Sequence, residues 1–158
     1  MSAAAAVDRI RGLIAAVLPP ELSDASVVIG HPGAQEEYAL GLSLFVLQIR
    51  EDATWRSHPG RATQSLIEVD LLVSSHSPPE RGFEGIRLLE IASEILRTTP
   101  ELGSLSAHVS AEVLLRAPSL DEMASLWQAM GTPMHPSVLC VVRVAVNAAT
   151  AGRDREQP

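Results

Sequence analysis

Apolar residues recur along the first turns of this chain at spacings of three and four. Val7, Ile10, Ile14 and Val17 fall on one face, which predicts an amphipathic helix from about Ala4 to Leu18. Pro19-Pro20 ends it, because proline has no amide to donate and disfavours helical backbone in the residue before it. The β-branched run from Ser26 to Gly30 predicts a short strand closed by His31-Pro32-Gly33. Leu40 to Glu51 predicts a long strand, apolar on both faces at its centre, with Gln48 and Arg50 turning one face polar. Ser65 to Ser75 alternates, with Ile67, Val69, Leu71 and Val73 on one face and Glu68 and Asp70 on the other. Between these strands DATWRSHPGRATQ is too long and polar for a tight hairpin. It predicts a protruding loop or an irregular arm.

Phe83 to Thr98 predicts a second helix. Ile86, Leu88, Leu89, Ala92, Ile95 and Leu96 form its apolar face, opposite Arg87, Glu90, Glu94 and Arg97, and Pro100 stops it. Ala107 to Arg116 alternates as a strand with one wet face. Ser119 and Glu122 have the spacing of a capping box, so a third helix starts there. Its expected buried stripe is Leu120, Met123, Trp127 and Met130, and Gly131 is its stop. Val138 to Val146 is apolar on both faces, as suits a strand in mid-sheet covered on both sides. The order α-β-β-β-α-β-α-β predicts one mixed sheet flanked by helices, an α/β (α+β) architecture. Residues 1–148 form the expected single domain, and 149–158 a polar tail.

The chain has 158 residues, enough for one core that buries roughly 70% of the unfolded surface without a disulfide or metal. Aromatic residues make up only 3%, so Val, Leu, Ile and Ala must fill that core. The net charge of −7 argues against nucleic-acid binding. All 12 basic residues are arginine, a bias that a GC-rich genome tends to produce. The apolar start is broken by Asp8, Arg9 and Arg11 and does not follow a basic segment, unlike a signal peptide. No run approaches the roughly 20 apolar residues of a membrane span. The expectation is a soluble protein made without export by the general pathway.

Candidate chemistry is sparse. Of His31, His58, His76, His108 and His135, none stands at i, i+4 on a helix or at ligand spacing from Cys140, so no metal site is expected. Cys140, in an apolar strand, reads as a buried and inert thiol. There is no nucleophile elbow, glycine-rich phosphate loop or dinucleotide fingerprint, and the pairs Glu36-Glu37 and Glu51-Asp52 read as solvated edges. No catalytic residue and no cofactor are expected. Arg143 is the only charge in the most apolar strand. It either pairs with Asp70 or Glu68 on a neighbouring strand or anchors another subunit. Trp55 and Arg56, in the polar connection, are residue types enriched at interface hot spots, unless Trp55 folds back as a lid on the core. Trp127 reads as core.

Four segments, in order, resemble one family: LSLFVLQIREDATWR, EVDLLVSSHS, RLLEIASEILRTTPEL and MASLWQAMGTPMHPSVLCVVRVAV. The similarity runs from about Val7 to Ala148. The family is the N-terminal domain of the cap proteins of extracellular contractile injection systems, phage-tail-like particles of the antifeeding-prophage and Photorhabdus virulence cassette type. Its members are similar to phage tail terminators. The resemblance implies a six-fold ring that ends the inner tube and touches the last sheath ring, with no enzyme activity and no cofactor. It also implies synthesis in a bacterial cytoplasm, in a particle that is then released or retained. This chain departs from the pattern at GRATQS, which replaces a proline-rich lead, at the Tyr and Thr positions near Leu72 to His76, and at Cys140, where the family has an aromatic. About a dozen residues follow the last strand, where family members often carry a long sheath-engaging extension.

A ring also needs a contact surface between copies. The apolar face of the Phe83–Thr98 helix, Arg87 on that helix, Trp55, Arg56 and Arg143 are the expected contributors. The rival expectation is a small adaptor or assembly chaperone that binds one partner and never joins a particle.

Overall fold

The computed structural model describes residues 2–34, 39–52, 64–106 and 109–147. Helix α1 (Ser2–Ala16) stops two residues short of Leu18. Leu18 precedes Pro19, whose ring disfavours helical backbone there. Val17 therefore leaves the apolar face and is exposed. Strand β1 (Ser26–Ile29) follows, then β2 (Gly41–Glu51), β3 (Gln64–His76), α2 (Gly82–Thr98), β4 (Glu101–Ser106), β5 (Val109–Arg116), α3 (Leu120–Met130) and β6 (Ser137–Asn147).

One six-stranded sheet results, in the order β1-β2-β3-β6-β5-β4. β1 runs parallel to β2 and every other pair is antiparallel, so the sheet is mixed as expected. β4 is an addition to the expected elements. Glu101 pairs with Glu112 and Gly103 with Ala111, which leaves Leu102 as an extra residue in a bulge. Gly103 takes φ +72° there, a conformation glycine adopts without a Cβ clash. A second irregularity lies between Ser104 and Ser106. Leu102 and Leu105, three apart, consequently join the same core. That spacing erases the alternation by which a strand is recognised.

The two sheet faces differ. On one, Leu42, Leu44, Val69, Leu71, Val73, Cys140, Val142 and Val144 meet Val7, Ile10 and Ile14 of α1 and Leu88, Ala92 and Leu96 of α2 in the main core. On the other, Trp127 of α3 packs on Leu72 and Leu139, with Leu47, Met123, Leu126 and Met130 around it. The α3 cap is as expected: the Glu122 amide donates to Ser119 Oγ at 3.2 Å, and the Ser119 amide donates to Glu122 Oε2 at 2.7 Å. Gly131 closes the helix at φ +67°. The expected stripe is corrected at one end. Leu120 is 73% exposed, because the contact with the sheet starts at Met123 and the first turn projects beyond it.

A bulge between Val46 and Gln48 sets the polar end of β2. Val46 joins the main core and Ile49 pairs with Val69, while Leu47 packs toward α3 and Arg50 pairs with Glu68. Leu47, Gln48 and Arg50 thereby share the α3 face of the sheet.

Candidate assembly surfaces

The half of the α3 face that α3 leaves uncovered carries charge. Arg50 on β2, Glu68 on β3, Arg143 on β6 and Glu112 on β5 are direct cross-strand neighbours, so charges of alternating sign cross four strands. Arg50 Nε donates to Glu68 Oε2 at 2.9 Å, and Arg143 Nε donates to Glu68 Oε1 at 2.9 Å. Arg143 Nη1 stands 3.6 Å from Glu112 Oε1. The bond from Arg143, and then that from Arg50, holds the Glu68 carboxyl below its usual range against the opposing effect of burial. Arg50 also donates to Asp70 Oδ2. Of the two partners expected for Arg143, Glu68 is the one it takes. Asp70 belongs to Arg50.

Beside this row, α3 and the sheet enclose a groove of about 450 Å³, lined by Phe45, Leu47, Asp70, Arg116, Met123 and Leu126 among others. Asp70 Oδ1 is buried there with no hydrogen-bond partner among the described residues. Among the described histidines, His135 lies close enough to His76 to act on it through its charge. His31 meets the Phe45 ring edge-on at 4.9 Å and accepts from the Gly33 amide at Nδ1. His135 lies 5.5 Å from the Trp127 ring. His76 is buried, and burial, followed by the charge of His135, lowers its pKa. His58 and His108 lie outside the described residues. Among the described residues no three His, Cys, Asp or Glu side chains are placed to hold a metal. Cys140 is fully buried, and burial plus the Asp70 charge push its thiol up to about 12. A thiolate nucleophile is out of reach there at neutral pH.

The expected interface residues fall into two groups. Trp55 and Arg56 lie outside the described residues. Arg87 is exposed on α2 and pairs with Glu21 at 2.9 Å. The apolar face of α2, expected as a contact between copies, is instead largely spent on the sheet through Leu88, Ala92 and Leu96. Two apolar residues of this helix escape. Phe83 is 90% exposed and Ile86 is also exposed. Their exposure is not legible in the chain, since a helical stripe does not reveal where the sheet beneath it ends. On the main-core side an apolar groove of about 240 Å³ opens between α1 and the outer strands. Ala3, Ala4, Val7, Ile29, Val46, Ile49 and Val69 line it, and Ile29 and Ile49 are exposed.

Comparison with known proteins adds the fold's relatives. A sheath/tube terminator of the extracellular contractile injection system PVC, in its extended state, superposes with a TM-score of 0.64 at 18% identity. The match covers 93% of this chain and 57% of that one. The tube-terminating cap of the anti-feeding prophage superposes with a TM-score of 0.64 at 15% identity, over 89% of this chain and 53% of that one. This chain thus spans a little over half the length of either structure. No curated protein matches it by sequence. The model of the Pvc16 N-terminal domain matches residues 6–158, so nearly the whole chain is accounted for, and it belongs to the Pvc16 N-terminal domain family.

Proposed function

We propose that this protein is a structural cap, a tail terminator that forms a ring on the end of the inner tube of a contractile injection particle and contacts the last sheath ring. The observation that carries the reading is the family match over residues 6–158. The shared fold with two solved terminators supports it. The working unit in this reading is a homohexamer, and its partners are the tube and sheath proteins. Neither an enzyme activity nor a cofactor enters, as suits a relative of proteins that are terminators.

A terminator must bind a filament end on one side and refuse another subunit on the other. The fold supplies distinct surfaces for this: an open sheet face crossed by paired charges, and an opposite side covered by α1 and α2. A self-paired charge row offers specificity more than adhesion, because each charge already has its partner. A closed ring further requires a head-to-tail contact whose rotation returns to its start. The excess of acidic residues opposes a nucleic-acid partner. No helix among the described residues is long and apolar enough to cross a membrane.

The test is to purify intact particles from cells that make this chain, find the chain by mass spectrometry, and image the particle end. The expected result is six copies on the terminal tube ring, in released or cytoplasmic particles. A chain missing from the particles but bound to one soluble partner would replace this reading with the adaptor.

A further inference from the structure

We propose that Phe83 is the plug, and the groove between α1 and the outer strands the socket, of a head-to-tail contact between two copies of this chain. The inference rests on the ring reading and names its contact.

Phe83 is one of two phenylalanines in a chain with very few aromatic residues, and it is almost wholly in solvent. Ile86, three residues on, widens the same exposed apolar spot. A large aromatic held in water on a rigid helix is the kind of side chain that anchors interfaces. The groove has the complementary character. Its lining side chains are all aliphatic, and its volume is about 240 Å³. An apolar cavity of about 150 Å³ already accepts a benzene ring, so the space suffices for a phenyl group.

The two features cannot meet within one copy. Gly85, two residues after Phe83 in the same helical turn, packs against Ser77 and Ser75 at the end of β3: a Cβ at Gly85 would lie 2.6 Å from Ser77 Oγ. The groove lies at Val69 and its partner Ile49. Val69 and Ser75 are six residues apart on one strand, roughly 20 Å. Plug and socket are thus different surfaces of the molecule, and joining them between copies is a heterologous contact. A two-fold dimer would use the same plug and socket twice, reciprocally, so a wild type that closes as a dimer and not as a larger ring overturns the head-to-tail contact.

The surrounding charges agree. Arg87 follows Phe83 by four residues and shares its helix face. Asp8 follows Val7, a lining residue of the groove, on α1 and stands one turn after Ala4, another. Both are exposed, and among the described residues each pairs with one side chain that is itself in solvent: Glu21 for Arg87 and Arg11 for Asp8. Such pairs exchange partners at little cost, so Arg87 of one copy can meet Asp8 of the next as the ring enters the groove. One aromatic buries only about 150–250 Å², well below the roughly 1,000 Å² of a specific interface. The plug is therefore an anchor around which further surface closes.

The experiment uses the full chain and the variants Phe83→Asp and Ile49→Asp. Both positions are exposed, so circular dichroism and the melting temperature should match the wild type. By light scattering and native mass spectrometry the wild type should form closed oligomers, and each variant should associate at least tenfold more weakly. The decisive sample is an equal mixture. Phe83→Asp keeps an intact groove and Ile49→Asp keeps an intact plug, so the mixture should yield one-to-one pairs and nothing larger. Variants that assemble like the wild type would overturn the contact and leave the ring standing. The contact is equally overturned if the mixture gives no pairs, or if the wild type stays monomeric at its highest soluble concentration while images show it ringed on tube ends. A chain absent from particle ends defeats the ring reading itself.

Discussion

Arg143 and Glu68 face each other across the β3–β6 pair, with Nε donating to Oε1 at 2.9 Å. The carboxylate is well covered, with 14% of its side chain exposed, whereas 40% of the arginine side chain is in solvent. The acid is therefore the member whose environment depends on the bond.

Replacing Arg143 with Met should cost about 1 kcal/mol at pH 7, the worth of a charged hydrogen bond reduced by solvent screening. Arg50 still holds Glu68, which prevents a larger loss. The folded-state pKa of Glu68 lies below its ordinary 4.5. Its contribution is thus fully present above that value and lost as pH falls through the lower folded one. Urea titrations at pH 7 and pH 3 should show the difference between wild type and Arg143→Met shrinking at the acid end. An equal difference at both would mean that the pair contributes nothing.

Trp127→Ala should destabilise by about 3–5 kcal/mol, since α3 reaches the sheet mainly through this buried ring. Trp127→Phe should cost much less, because Trp127 Nε1 has no hydrogen-bond partner among the described residues. Leu120→Ala, at the exposed end of the same stripe, should stay within about 0.5 kcal/mol. Chemical denaturation of the three variants measures the contrast.

Cys140 should resist a thiol reagent at pH 8 in the native protein and react at once in denaturant. Its burial leaves neither access nor thiolate. Labelling that proceeds in the cold native state faster than global unfolding would contradict this environment.

His76 predicts a second pH window. Its pKa is lowered from 6.5, first by burial and then by His135. The unfolded chain therefore binds the proton more readily, and stability falls as pH drops below 6.5 toward the folded value. His135→Gln should relieve part of that shift. Proton NMR titration of the His76 ring, with melts from pH 7.5 to 5, tests both statements.

The elements that read well from the chain are those whose packing is uniform along their length. Val69, Leu71 and Val73 alternate because β3 keeps one face on the main core throughout. Ser119, Glu122 and Gly131 announce α3 through bonds local to the helix ends. β4 is hidden because its two leucines stand three apart in sequence, and only the bulged register brings both to the core. Ile86 and Leu120 look buried in a helical stripe and are exposed in the fold, since the reach of the sheet beneath a helix is a tertiary property. For the candidate surface, the chain discloses that Arg143 finds a carboxylate on the neighbouring strand. It does not disclose that Arg50 and Glu112 extend the row, because a bulge in β2 and the β5–β6 register decide that. The groove beside α1 is assembled from α1, β1, β2 and β3, so no single segment carries its signature.

The two borders of the sheet have a further meaning. β1 offers an incoming strand only four residues, and β4 has its register broken twice. Neither presents a long unbroken row of amides and carbonyls on which a foreign chain could zip. Neighbours in any array must then be held by interlocking side chains, and such an array stops where those run out, not by spreading sideways as a continuous ribbon.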